Sequence, residues 1–208
     1  MEQTGRLLDG LIRIKDTIDG TLTFRRSCAH GICGSCAVRI NGRNGLACQT
    51  LIQDMPETIT VEPLAEYPVI KDLVVDMGPF FEKNEKVMPY LINDGPPPER
   101  ERLQSPEDHH RTLESVTCIM CGSCTSSCPA YRANKEYLGP SALVKAYRFI
   151  FDTRDRAMRE RLEKIIHNNG LWRCRSVYNC VEVCPKGIDI TGHLSELKRF
   201  AVKKKLLK

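Results

Sequence analysis

Eleven cysteines in 208 residues constrain this chain more than any other feature. An odd number cannot all pair as disulfides, and so many thiols point to metal chemistry once their spacing is regular. The first group is Cys28-x4-Cys33-x2-Cys36, followed after eleven residues by Cys48, which is the plant-type ferredoxin pattern for a 2Fe-2S cluster. Three thiolates from one tight loop must close around a small core, so backbone has to approach sulfur. Gly31 and Gly34 supply that freedom, and neighbouring amides in such a loop donate to sulfur and spread its negative charge. A structural zinc site is the alternative reading, but zinc usually takes two separated pairs of ligands rather than a triple and a single.

The second group, Cys118-x2-Cys121-x2-Cys124-x3-Cys128-Pro129, is the bacterial ferredoxin run, in which the fourth cysteine ligates the other of two clusters. That rule predicts a partner motif. Cys174-x5-Cys180-x3-Cys184-Pro185 is present and keeps three of the four cysteines, with Val177 where the second would fall. Crossed ligation then gives a 4Fe-4S cluster on Cys118, Cys121, Cys124 and Cys184. It leaves Cys128, Cys174 and Cys180 one thiolate short. A cubane corner without thiolate can lose its iron, so this last site is expected to hold 3Fe-4S, with Val177 keeping water from the vacant corner. A water or a non-cysteine side chain that retains the fourth iron is the alternative. The three sets together use all eleven cysteines.

Hydrophobic residues make up 41% and charged residues 27% of the chain, ordinary values for a globular protein, and the length suits two small domains. No stretch approaches the roughly 18 uninterrupted apolar residues of a membrane span. Met1 is followed by polar residues rather than a signal-peptide core, so the chain is expected to stay in the compartment where it is made. The net charge is +5, with Lys203, Lys204, Lys205 and Lys208 crowded at the C-terminus. A solvated helix end accounts for them, since the macrodipole favours cations there, and nucleic acid is not indicated. His109 and His110, about 100 degrees apart on a helix, do not grip one ion easily and read as solvent-exposed. No Ser-His-Asp set, phosphate loop or carboxylate pair stands out, so substrate chemistry is expected elsewhere.

Local patterning predicts a first helix capped by Thr4 and carrying Leu7, Leu8, Leu11, Ile12, Lys15 and Ile18, ending near Asp19-Gly20. Strands are expected over 22–25, over Ala37–Ile40 with a turn at Asn41-Gly42, and over 58–62. This half reads as α+β. The run DGPPPER at 94–100 stiffens a linker and sets a domain boundary, giving domains of 1–95 and 96–208. Beyond it Ser105-Pro106-Glu107-Asp108 opens a helix, and Gly139-Pro140 opens another through Leu143, Ala146, Tyr147 and Ile150. A further helix is expected over 156–167, and Thr191 is expected to cap the last.

A plant-type cluster motif followed by a bacterial-type pair with a Val in its second half resembles the iron-sulfur subunit of complex II, the succinate dehydrogenase and fumarate reductase family. Supporting strings are TFRRSCAHGICGSC (23–36), NGLACQT (44–50), PVIKDLVVDM (68–77), YLGPSAL (137–143) and CPKGI (184–188). The resemblance spans nearly the whole chain. It implies an α+β fold made of an N-terminal β-grasp 2Fe-2S ferredoxin-like domain and a C-terminal all-helical bacterial-ferredoxin-like domain. The family opens with a β-hairpin before its first helix, and Met1 here stands just before that helix, so the first domain is expected to lack that hairpin.

The resemblance also implies a role. Electrons leave FAD in a partner flavoprotein, where dicarboxylate catalysis lies, and pass through 2Fe-2S, 4Fe-4S and 3Fe-4S clusters to a membrane quinone. Membrane anchor subunits would hold the chain peripherally on the cytoplasmic face of a bacterial inner membrane or the matrix face of a mitochondrial one. The alternatives are the same relay run as quinol:fumarate reductase, a soluble cluster-carrying module, and a carrier serving another two-electron acceptor such as a disulfide.

At the quinone end Pro129, Tyr131, Arg132, Trp172 and Arg175 are the candidates. Family members often carry aromatic residues where this chain has Tyr131-Arg132-Ala133, and a His where it has Arg175. A guanidinium donates hydrogen bonds but does not shuttle protons near neutral pH. Packing or cluster charge compensation is the alternative for both arginines, and core packing is the favoured reading of Trp172.

Overall fold

A computed structural model describes residues 5–204. In the first unit, helix α1 (Leu7–Thr17) lies against a three-stranded sheet of order β2-β1-β3, built from β1 (Ala37–Ile40), β2 (Arg43–Leu46) and β3 (Val61–Glu62). Asn41 and Gly42 both have positive φ, 46° and 82°, as a two-residue hairpin turn between twisted strands requires. That turn sets the antiparallel register from Ala37↔Leu46 to Ile40↔Arg43. Leu7, Leu8 and Leu11 form the buried stripe of α1 and share a core with Val38, Ile40 and Leu46.

Three expectations for this unit need correcting. The residue at the start of α1 is Arg6, whose amide donates to Asp9 Oδ2 at 3.0 Å, while Thr4 lies outside the described residues. Residues 22–25 form no strand. Thr23 is instead tied to the ribbon of β4 (Val69–Lys71) and β5 (Val74–Val75), accepting from Leu73 N at 3.2 Å and donating to Asp72 Oδ2 at 2.8 Å. Of 58–62 only Val61 and Glu62 pair with β1. The Asn41 side chain accepts the Thr60 amide at 2.8 Å and so takes a bond that a longer ladder would have used.

The second unit is all helical: α3 (Pro106–Val116), α4 (Ser123–Ser126), α5 (Pro129–Ala133), α6 (Gly139–Ile150), α7 (Met158–Ile165), α8 (Asn179–Glu182) and α9 (Ile190–Lys203). Helix α6 is buried along its whole length except at Arg148, and α3, α7 and α9 pack around it. Ser105 caps α3 as its sequence predicts, accepting from Asp108 N at 3.1 Å. Thr191 is not the cap of α9. Asp189 accepts the Gly192 amide at 2.9 Å, and Thr191 is buried in the first turn, 3.8 Å from Cys180 Sγ. Helix α7 is shorter than 156–167 because Asp155 captures the Ala157 amide at 2.8 Å just ahead of it.

Between the units lies α2 (Gly78–Glu85). Phe80 belongs to the first core and Val87 to the second, so packing changes over here, ahead of the exposed proline run at 94–100. The cause is Arg161. Its guanidinium is fully buried with Asp155 at 2.8 Å and donates to the carbonyls of Val87, Met88 and Tyr90, which fastens the segment after α2 to the helical unit. Conversely, Ile119, Met120 and Cys121 pack on the first core. Arg43 donates to Glu182 O at 2.6 Å, Asn44 to Ser123 O at 2.9 Å and Lys186 to Gly31 O at 3.5 Å, and Glu66 pairs with Arg132 and Lys135. No helix among the described residues is long and apolar enough to cross a membrane.

Candidate metal centre

The loop around Cys28 is wound by left-handed residues: Ala29, Gly31 and Gly34 have φ of 58°, 75° and 73°. At Gly31 a Cβ would stand 2.9 Å from the Gln49 side chain, which would have to shift, and the φ of 75° itself favours glycine. The winding aims the amides of His30, Ile32 and Cys33 at Cys28 Sγ, at 3.5, 3.4 and 3.3 Å. These donors, His30 first, pull the Cys28 thiol down to about 6, so its thiolate is ready for a metal.

Cys36 precedes β1 and Cys48 follows β2, and the Ala47 amide donates to Cys36 O at 3.1 Å, so the hairpin brings both cysteines to one end. Both are buried. Burial foremost, with Cys48 beside it, pushes the Cys36 thiol up to about 12. A thiol in that setting ionises when a bound cation compensates it, which is what iron supplies.

Four of the other seven thiols share one cavity. Cys118, Cys121, Cys124 and Cys184 line it beside Val144, Ile188 and Ile190. Burial pushes Cys124 well up, and the charges of Cys121 and Cys118 push further. Cys128, Cys174 and Cys180 are the remaining three, and they act on one another electrostatically. Burial raises Cys128 and lifts Cys180 to about 11, and each thiol also feels Cys174. Mutual repulsion of this kind fits a donor set built around positive iron.

Chain geometry brings the two cysteine motifs together. Helices α4 and α8 each start after a left-handed residue, Gly122 and Tyr178, and each ends just before a Cys-Pro step. They lie against each other, with Ser127 Oγ donating to Asn179 O and Asn179 Nδ2 to Ser127 O, both at 3.4 Å. The local duplication seen in sequence is therefore a paired structure, and each Cys-Pro can reach across to the other motif. Among the described residues no three Cys, His, Asp or Glu side chains converge to grip a single ion, whereas four thiols line one cavity.

Residues 1–82 match the family described as 2Fe-2S iron-sulfur cluster binding domain, and residues 114–188 match the 4Fe-4S dicluster domain. The succinate dehydrogenase iron-sulfur subunit of Paracoccus denitrificans is 44% identical over 97% of this chain and 79% of its own length. The chain belongs to the succinate dehydrogenase iron-sulfur subunit family. A mitochondrial member from Oryza sativa subsp. japonica, named succinate dehydrogenase [ubiquinone] iron-sulfur subunit 1, is 45% identical over 93% of this chain and 70% of its own. A chain from the Mycobacterium smegmatis Sdh1 complex in the apo form superposes with a TM-score of 0.86 at 30% identity, covering 100% of this chain and 88% of that one. The family assignment makes this chain an electron-relay subunit of an oxidoreductase, with a ferredoxin-like 2Fe-2S domain followed by a 4Fe-4S dicluster domain.

Of the five residues expected near quinone, two turn to the seam between the units. Tyr131 is 2% exposed and lies under the ammonium groups of Lys83 and Lys135, while Arg132 pairs with Glu66 of the first unit at 2.8 Å. Both face the seam between units, because the first turn of α5 points its side chains back at α2 and residue 66. Pro129 and Arg175 are exposed, and Arg175 has no ion pair among the described residues. Trp172 is half-buried and donates to Ile166 O at 3.1 Å. Val177 is 51% exposed, so within this chain it does not seal a cluster corner from water.

Sequence reasoning passed over two cations. Lys145 is 8% exposed and donates to Cys118 O at 3.5 Å, and Lys198 donates to Cys174 O at 2.8 Å. A lysine on the otherwise apolar face of α6 was the available signal for the first. A cation beside a thiolate-rich set offsets charge that burial would otherwise make costly.

Proposed function

We propose that the chain passes electrons from the FAD of a partner flavoprotein to a membrane quinone through three clusters. A 2Fe-2S cluster would be held by Cys28, Cys33, Cys36 and Cys48. A 4Fe-4S cluster would be held by Cys118, Cys121, Cys124 and Cys184, and a 3Fe-4S cluster by Cys128, Cys174 and Cys180. The observation that carries this reading is that Cys184 lines one cavity with Cys118, Cys121 and Cys124, as crossed ligation requires. When bound, the clusters store and release single electrons, which divides one long transfer into short ones.

The residues of the chain do the remaining work. Amide donors around Cys28 hold its thiolate, and Cys118, Cys121, Cys124 and Cys184 stand in a largely apolar wall. Cys33 and Ile32 are exposed on the first loop, which suits arrival of electrons from a flavoprotein docked there. At the opposite end Arg175, Val177 and Tyr178 form an exposed basic and apolar loop between Cys174 and Cys180, which suits membrane anchor subunits and a quinone nearby. Pro129 and Trp172 would border that site. Such a chain would sit peripherally on the cytoplasmic face of a bacterial inner membrane, or on the mitochondrial matrix face.

The test is electron paramagnetic resonance of the fully oxidised protein, which should show a 3Fe-4S signal that Val177→Cys converts toward 4Fe-4S. An oxidised sample without that signal, holding two 4Fe-4S clusters beside the 2Fe-2S, overturns the assignment.

A further inference from the structure

Two loops from opposite units meet at van der Waals distance beside the ligand thiols. Gly34, at φ 73°, is packed so closely that a Cβ on it would stand 2.8 Å from Cys121 Cβ and 3.0 Å from Ile119 O. Cys33 and Cys36 flank Gly34 in the sequence, so this contact joins a ligand loop of the first site to a ligand of the second. Gly122, between Cys121 and Cys124, is crowded from the other side. A Cβ there would stand 2.9 Å from Met77 Cε and 3.2 Å from the Tyr67 hydroxyl oxygen. That hydroxyl donates to Gly122 O at 3.1 Å. The Tyr67 ring is 6% exposed, edge-on to Phe80 at 6.1 Å between centroids and tilted against Tyr131 at 6.4 Å.

We infer that Tyr67 is a positioning residue for the electron crossing between the first and second clusters, its hydroxyl holding the Cys121–Cys124 loop against Gly34 from the opposite unit. The inference rests on the ligand assignment proposed above. Gly122 O also accepts the Ser126 amide at 3.0 Å, the first bond of α4, so the carbonyl sits at the root of the loop and any movement of it moves both flanking thiols. The O–H bond is directed at Gly122 O, so the hydroxyl acts on the second cluster by fixing the backbone between Cys121 and Cys124. Packing alone would be satisfied by a phenyl ring of the same size. The hydroxyl is the part of Tyr67 that the core does not need, because a buried hydroxyl costs free energy unless it finds a partner.

The experiment uses the assembled complex with Tyr67→Phe, and with Met77→Leu as a variant that also touches Gly122 but forms no hydrogen bond to it. Iron and sulfide content, cluster midpoint potentials followed by electron paramagnetic resonance, and the rate at which the second cluster fills after the first are measured. Tyr67→Phe is expected to keep all clusters, to shift the midpoint of the second cluster while leaving the first unchanged, and to slow the crossing several-fold. Met77→Leu is expected to change neither quantity. An unchanged potential and rate in Tyr67→Phe makes Tyr67 a core filler and overturns the proposal. An equal shift in Met77→Leu assigns the effect to packing and also overturns it, as does loss of the second cluster from Tyr67→Phe. Failure of the ligand assignment itself is distinguishable, since the unmodified protein would then lack separate 2Fe-2S and 4Fe-4S signals.

Discussion

Replacing Arg161 by Met tests how the two units are fastened. The guanidinium donates to Asp155 at 2.8 and 3.2 Å, to Val87 O at 3.1 Å, to Met88 O at 3.0 Å and to Tyr90 O at 3.1 Å, and both members of the ion pair are fully buried. Met fills much of the volume, so the cavity cost is small. What remains is a buried carboxylate bonded only to the amides of Ile92 and Ala157, at 2.9 and 2.8 Å, and three carbonyls without this donor.

Removing one partner of a buried pair costs about 3–5 kcal/mol, with the orphaned carbonyls included in that range because water reaches them as the segment loosens. Heat denaturation of a cluster protein is not a two-state measurement, so the assay is native-state hydrogen exchange at the amides of Ile92, Arg156 and Arg161. Tenfold per 1.4 kcal/mol converts the cost to roughly two to four orders of magnitude of lost protection. The double variant Arg161→Met with Asp155→Leu should regain part of it, since no charge is then stranded. A loss of less than about tenfold in the single variant, within the range of an exposed pair, would refute the reasoning.

Cys36→Ala should abolish succinate-driven reduction of the distant clusters while iron analysis and spectra show the 4Fe-4S and 3Fe-4S sites still assembled; loss of all three would mean that the seam at Gly34 and Cys121 makes the units fold together. Arg175→Leu should lower succinate-to-quinone turnover and spare succinate-to-dye turnover, measured side by side, and equal loss of both would make Arg175 a structural support. His193 is held below its usual range by burial, against the opposing pull of Glu114, Asp189 and Glu196. Its folded value lies under the unfolded one, so its stabilisation is complete above about pH 6.5 and is lost as pH falls through the folded value. Amide protection in α9, corrected for intrinsic exchange, should decline from pH 7.5 toward 5.5 in the native chain by about tenfold per 1.4 kcal/mol lost, and His193→Gln should flatten that decline.

Short-range chemistry made part of this protein legible in its sequence. The Asn41-Gly42 turn, the Ser105 cap and the Gly139-Pro140 helix start follow from residues that touch their own neighbours, and all three stand where local rules put them. The pairing of the two dicluster motifs was legible for a different reason: the fourth-cysteine rule already carries a tertiary fact, the packing of α4 on α8, into a one-dimensional pattern. Where a distant partner decides, local reading did not reach. Residues 22–25 have strand composition, yet Asp72 and Leu73 take their bonds. Thr191 looks like a cap, but Asp189 reaches the free amide first and leaves Thr191 to the core beside Cys180.

The same division separates the cluster ligands from the residues that place them. Cysteine spacing by itself proposes which thiols of one motif share a cluster, because a few peptide units limit how far two such sulfurs can stand apart. Only tertiary structure decided that Tyr131 and Arg132 turn to the seam, that Lys145 comes to Cys118 and that Tyr67 reaches Gly122. Each of those contacts joins residues 27 to 66 positions apart, and packing density, not spacing, chooses such partners.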